Sequence, residues 1–234
     1  MDEDGDCTAY KQSIFSTLAG IALDPSSISC CDNSTIICNG TRIVEMNLGN
    51  LHFSGYIPSE IFNFQYLQKL DLSYNYLSGS FPSIEEENEV LLILKIQKNL
   101  LTGTLPTTIT NLKNLAYFDA SFNNFSGDLF SSISSMYGLR HLGVSTNQFK
   151  GEIPDEIGSF KKLQHLELSE NSFYGTLPDT LCNLEDLEAV FLRENTFNGS
   201  LPSCLQNLTK LKYLYVEDNE LSGSIPSIVS ELSE

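Results

Sequence analysis

The chain has 234 residues, 41% hydrophobic and 18% charged, a balance typical of one or two folded domains. Thirty acidic residues against thirteen basic ones give a formal charge of −17, a field that repels nucleic acid and anionic membranes and draws a cationic partner. No apolar run approaches the roughly 18 residues of a membrane span, so no membrane insertion is expected of this segment.

The chain opens Met-Asp-Glu-Asp-Gly-Asp, the reverse of a secretion leader, which needs positive charge followed by an apolar stretch. Either the protein stays inside the cell or a leader has been removed. Four cysteines, Cys7, Cys30, Cys31 and Cys38, come next. Such a cluster can bind zinc, but the spacing lacks two separated Cys-x-x-Cys pairs, so neither a metal nor any other cofactor is expected.

From residue 43 onward the sequence repeats. Asn75, Asn99, Asn123, Asn147, Asn171, Asn195 and Asn219 recur every 24 residues, and Leu51 holds the same place one period earlier. Four residues after each of these eight positions stands a glycine, from Gly55 to Gly223. Seven of the eight coils then carry proline three residues later, and Phe130 is the exception. An apolar pattern such as Leu67-x-x-Leu70-x-Leu72 precedes each Asn, and a bulky residue such as Leu77 or Phe125 follows it. The pattern predicts one short strand per coil, stacked in parallel about 4.8 Å from its neighbours. The Asn side chains turn inward to pair backbone groups that would otherwise be buried alone. Glycine permits a bend, and proline fixes an extended return segment on the convex side. No coil can bury its own apolar face, so the coils fold only as a stack. The second coil departs after Pro82, with Glu85 and Asn88 where other coils place apolar residues; residues 84–89 are expected to form a solvated convex loop.

The string Leu-x-x-Leu-x-Leu-x-x-Asn-x-Leu-x-Gly-x-Ile-Pro-x-x-Ile-x-x-Leu resembles the plant-type leucine-rich repeats. These occur in polygalacturonase-inhibiting proteins and in the outer domains of receptor-like proteins and receptor kinases. The resemblance covers about residues 43–232. It implies an α/β fold, a right-handed leucine-rich-repeat solenoid of eight 24-residue repeats with a disulfide-bonded N-terminal helical cap. The cap would span residues 1–42 and the repeats 43–234, without a cysteine-bearing C-terminal cap. The resemblance also implies the bridges Cys7–Cys30 and Cys31–Cys38, and a helix around Lys11–Leu23 covering the first coil's open core. The family's cap usually holds tryptophan, and this chain has none.

Cys182 and Cys204 are 22 residues apart in a 24-residue period, so they fall on successive coils, offset by two positions. That placement is compatible with a disulfide, whose Cα atoms lie roughly 4.4–6.8 Å apart; two buried thiols are the alternative. Sequons begin at Asn33, Asn39, Asn124, Asn198 and Asn207. Together with an even cysteine count they point to an oxidising, glycosylating compartment, hence to a secreted or cell-surface protein.

The strand residues between the inward leucines face a concave, solvated surface. One column holds Lys69, Ile93, Tyr117, His141, His165, Ala189 and Tyr213; the next holds Asp71, Lys95, Asp119, Gly143, Glu167, Phe191 and Tyr215. Two further columns hold Ser121, Ser169, Arg193 and Glu217, then Tyr74, Lys98, Phe122, Glu170, Glu194 and Asp218. The aromatic residues on this face mark it as a candidate interface. Charge is graded along it, with lysines toward the N-terminal end and Glu167, Glu170, Glu194, Glu217 and Asp218 toward the other, so a partner with a basic patch would be oriented by it. His141, His165 and Glu167 form an incomplete metal set and are expected to be ordinary surface residues.

No nucleophile–base constellation, phosphate loop or metalloprotease helix is present. Asp119 and Glu167 are close enough in register for glycosidase-like pairing, but an open sheet should leave both carboxyls solvated with ordinary pKa values. Catalysis is therefore not expected. The leading expectation is a receptor-ectodomain or co-receptor module that binds a protein or peptide. The alternatives are an inhibitor of a secreted polygalacturonase and a cell-wall protein that binds neutral glycans. Where the eighth coil runs out, Val229 and Leu232 are available for a closing turn.

Overall fold

The computed structural model describes residues 14, 17, 18, 31 and 34–224. Cys7, Cys30, Asn33, Val229 and Leu232 lie outside the described residues. The chain winds as a solenoid with one nine-stranded sheet along its inner wall. Strand β1 (Ile36–Asn39) runs antiparallel to β2 (Arg42–Asn47), which starts the first coil. Parallel strands then follow one per coil: β3 (Lys69–Asp71), β5 (Ile93–Lys95), β7 (Tyr117–Asp119), β9 (His141–Gly143), β11 (His165–Glu167), β13 (Ala189–Phe191) and β15 (Tyr213–Tyr215). Their register is 24 residues throughout, as in Lys69 opposite Ile93 and His141 opposite His165.

A second sheet of seven strands flanks the first. It comprises β4 (Ser78–Ser80), β6 (Leu100–Thr104), β8 (Asn124–Asp128), β10 (Gln148–Gly151), β12 (Ser172–Thr176), β14 (Thr196–Gly199) and β16 (Glu220–Leu221). One strand per coil is thus corrected to two from the second coil onward. The extra strand includes the recurring glycine in every coil but the last, where β16 ends two residues before Gly223, and the glycine φ lies between +73° and +113° from Gly79 to Gly223. That left-handed bend is open to glycine at no steric cost. Gly55, in the first coil, serves differently: an added Cβ would lie 1.7 Å from the Thr17 carbonyl oxygen, because residues 17–18 press against the coil. The Gly55 N–H donates to the Leu18 carbonyl at 3.0 Å, and Leu18 and Ile14 are buried in the same core as the repeats.

The prolines Pro58, Pro106, Pro154 and Pro178 are themselves extended, but the segment after each of them turns. Pro58, Pro106, Pro154, Pro178 and Pro202 each precede a five-residue 3-10 turn, the last two being Asp179–Asn183 and Ser203–Asn207. Proline suits this place because its φ is preset and its missing N–H would be unpaired in any case. Where Phe130 replaces proline, a short α-helix (Leu129–Ile133) forms instead, and Asp128 caps it by accepting from the Ser131 N–H at 3.3 Å.

The second coil also corrects the sequence reading. Glu85, Glu86, Glu87 and Glu89 are exposed, but Ile84 and Asn88 are buried. Ile84 supplies the apolar side chain one position early. Asn88 pairs with Leu112 as a parallel bridge, donates to the Phe62 carbonyl at 2.8 Å, and accepts from the N–H groups of Val90 and Leu91. A polar residue occupies a core position there because every hydrogen-bonding group it brings is matched.

The asparagine ladder closes the inner seam. Asn195 Nδ2 donates to the carbonyls of Leu168, Leu192 and Arg193 at 3.0–3.2 Å, while its Oδ1 accepts from the Phe173 N–H at 3.0 Å. The other six recurring asparagines make the same set of bonds at the same offsets, for example Asn99 to Leu72, Ile96 and Gln97, accepting from Leu77. Beneath them runs a continuous apolar core that includes Phe53, Phe118, Phe125, Phe149, Phe173 and Phe197. Phe173 and Phe197 stack with 6.2 Å between ring centroids. Among the described residues two disulfides cross-link the chain. Cys31–Cys38 ties the segment ahead of β1 to that strand, and Cys182–Cys204 joins two successive 3-10 turns, with Cα atoms 5.9 Å apart.

Candidate binding face

The inner sheet carries the columns of side chains expected from the register, in three zones. Toward the N-terminal end Lys69 pairs with Glu45 at 3.7 Å. Lys98 lies between two rings of its own column, 4.6 Å from Tyr74 and 5.1 Å from Phe122, and Lys95 lies 5.2 Å from Tyr117. These are cation–π distances. Phe122 remains 47% exposed.

The central zone is tighter. Tyr117 stacks on His141 with 4.1 Å between centroids, and His141 faces His165 at 5.6 Å. His141 Nδ1 lies 3.9 Å from Glu167 Oε1, while its buried Nε2 has no hydrogen-bond partner. Gly143 makes this packing possible, because a Cβ there would approach Asp119 Oδ1 and His141 Nε2 to 3.0 Å each. Burial, with repulsion from His165 and Lys95, holds the His141 pKa down at about 4. The His141–Glu167 approach is therefore a neutral imidazole beside a carboxyl at neutral pH, and not an ion pair. Burial and the nearby Asp119 push Glu167 up to about 6; burial also raises Asp119, against the opposing hydrogen bond from the Ser121 N–H. The expectation of ordinary carboxyl pKa values on an open sheet is thus corrected. Side chains from adjacent coils are close enough to strip water from one another even without a lid. Tyr117, partly desolvated by burial and flanked by Asp119, Glu167 and Asp71, is raised to about 12 and stays protonated.

The C-terminal zone is aromatic and acidic. Phe191 stacks on Tyr215 at 5.1 Å, with Tyr215 41% and Tyr213 44% exposed. Arg193 pairs with its neighbour Glu194, and Glu217 and Asp218 stand exposed. Glu170 is half-buried and accepts from the Thr146 hydroxyl at 3.1 Å.

Four column members are not on the surface: Ser121, Gly143, Ser169 and Ala189 are buried. Serine is small enough to fold beneath its neighbours where Arg193 and Glu217 cannot. Sequence reasoning also missed a backbone feature. Tyr74, Lys98, Phe122, Thr146, Glu170, Glu194 and Asp218 all have φ of 53–56°, the left-handed region. The one signal was their shared place immediately before the recurring Asn. Exposed aromatics are not confined to this face, since Tyr56, Tyr76 and Tyr174 are also exposed. The sequon residues Asn39, Asn124, Asn198 and Asn207 are exposed, and none stands in a concave column.

The leucine-rich repeat region family matches residues 120–234, and the leucine-rich repeat family matches residues 66–85. No curated protein matches the chain. Among solved structures it is similar to the plant peptide hormone receptor RGFR1 in complex with RGF2, at 34% identity and TM-score 0.71, over 76% of this chain and 28% of that one. It is similar to PEPR1–AtPEP1 at 28% identity and TM-score 0.80, over 96% and 32%. The ectodomain of the Arabidopsis thaliana receptor kinase GASSHO1/SCHENGEN3, in complex with CASPARIAN STRIP INTEGRITY FACTOR 2, gives 27% identity and TM-score 0.76, over 90% and 28%. The chain thus spans about a third or less of the length of these structures. Among the described residues no helix is long and apolar enough to cross a membrane. The chain belongs to the leucine-rich-repeat family, with repeats of the plant extracellular type.

Proposed function

We propose that this chain is an extracellular recognition module of receptor-ectodomain type, without catalytic activity, that binds an extended peptide or a protein segment along its concave sheet. The observation that carries the reading is the stacked pair Phe191–Tyr215 beside exposed Tyr213, bordered by Glu194, Glu217 and Asp218. Aromatic anchors next to a single sign of charge suit a partner that brings an apolar side chain and a basic one. The plant receptors it resembles were solved with peptide ligands, which supports a ligand of that kind. Glycans at the described sequons would leave the concave columns free.

The test is selection of peptides from a display library against the purified chain, followed by measurement of variants. Phe191→Ala and Tyr215→Ala should each weaken binding of the selected peptides at least about tenfold, the loss of a hot-spot side chain. Charge reversal at Glu194 or Asp218 should slow association, and Tyr174→Ala, on the second sheet, should change neither. Equal losses from both sheets would remove the concave assignment.

A further inference from the structure

His141 and His165 face each other across β9 and β11, and Glu167 stands two residues beyond His165 on β11. One donor atom from each of the three lies within 4.8 Å of the others, a grouping found once among the described residues. Two imidazole nitrogens and a carboxylate oxygen are the donors preferred by borderline transition-metal ions, zinc above all. Bonds of about 2.0–2.2 Å in a tetrahedral site place donors roughly 3.3 Å apart. Small rotations of the outer side-chain torsions would close the cluster, and the strands, fixed by their register, need not move.

We infer that His141, His165 and Glu167 form a binding site for a divalent transition-metal ion of the zinc class, held on the concave face with one coordination position open to solvent. A second observation supports it. The buried His141 Nε2 has no hydrogen-bond partner, an unusual state for a ring with Nδ1 directed at a carboxylate. Coordination through Nδ1 would fix the proton on the buried Nε2, which borders the space that a side chain at Gly143 would fill. The open position would take water, or a donor atom from whatever lies on the face.

The test uses the untagged chain and zinc chloride alone, with binding followed by equilibrium dialysis and calorimetry. One ion per chain is expected. His165→Ala and Glu167→Gln should each weaken binding at least about tenfold, while His52→Ala, at the remaining histidine, should leave it unchanged. Cobalt(II) loaded in place of zinc should give visible absorption bands that His165→Ala alters. Absence of binding would overturn the proposal. So would binding equal in the parent, His165→Ala and Glu167→Gln, which would assign the ions to the general acidic surface.

Discussion

The rings of Tyr117 and His141 lie 3° from parallel with 4.1 Å between their centroids. The stack covers one face of an imidazole whose other neighbours are His165 and the Glu167 carboxyl. The result is a histidine that resists protonation beside a glutamate that resists deprotonation, at the middle of the inner sheet.

These two groups pull the pH dependence of stability in opposite directions. His141 titrates at about 4 when folded against 6.5 unfolded, so the unfolded chain takes its proton first and stability falls as pH drops through that window. Glu167 titrates at about 6 when folded against 4.5 unfolded, so the folded chain takes its proton first and stability is lost as pH rises through about 6. Between about pH 4.5 and 6 the two contributions offset. Glu167→Gln should therefore lose melting temperature more steeply than the parent on acidification through that interval, and His141→Phe less steeply. Parallel melting-temperature profiles for the three chains would refute the assignment.

Asn195→Ala should lower stability by about 1–3 kcal/mol, because it takes the side-chain acceptor from the Phe173 N–H in a dry core and one of two asparagine donors from the Leu168 carbonyl, which keeps Asn171. The urea midpoint of unfolding is the measurement. A loss below about 0.5 kcal/mol would mean that water or a shifted backbone satisfies those groups as well as the side chain does.

The strand columns, the core leucines and the asparagine ladder were legible because period and polarity both speak in them. Every 24th residue repeats the same chemistry, and a one-residue slip would turn Leu70 and Leu72 outward. The second sheet was hidden because its strands alternate weakly: β4 reads Ser-Gly-Ser, which no strand propensity favours, and it forms because its neighbours supply the ladder. Asn88 was misread for a similar reason. Its burial depends on the Phe62 carbonyl 26 residues away, a partner that local sequence does not announce. In the candidate site, membership of the columns was readable but the depth of each side chain was not. Desolvation of His141 and Glu167 depends on the missing side chain of Gly143 and on the Tyr117 stack, both set across coils.

Thr146 is the β-branched member of the left-handed column, with φ of 56°. A β-branched residue is the type that conformation tolerates least, and the penalty is about 1–2 kcal/mol. The backbone keeps it because the Thr146 N–H donates to the Ser169 carbonyl at 2.9 Å within the repeating ladder. Thr146→Asn should recover about 0.5–1 kcal/mol, since asparagine visits this region readily. Thr146→Gly should gain less, because glycine adds entropy to the unfolded chain. Thermal unfolding distinguishes these outcomes, and a destabilised Thr146→Asn would show that the hydroxyl bond to Glu170 outweighs the strain.

The Cys182–Cys204 bridge should matter locally. It closes a loop of 22 residues, for which chain entropy alone gives about 3 kcal/mol. In a solenoid each coil contacts only its neighbours, so that stabilisation is felt mainly by the coils the bridge joins. Replacing both cysteines with alanine should accordingly speed amide exchange in β13 and β15 while leaving β3 and β5 protected as before. Loss of protection spread evenly from β3 to β15 would mean that the stack unfolds as one unit. Unchanged exchange everywhere would mean that the paired 3-10 turns at Asp179–Asn183 and Ser203–Asn207 hold together by packing alone.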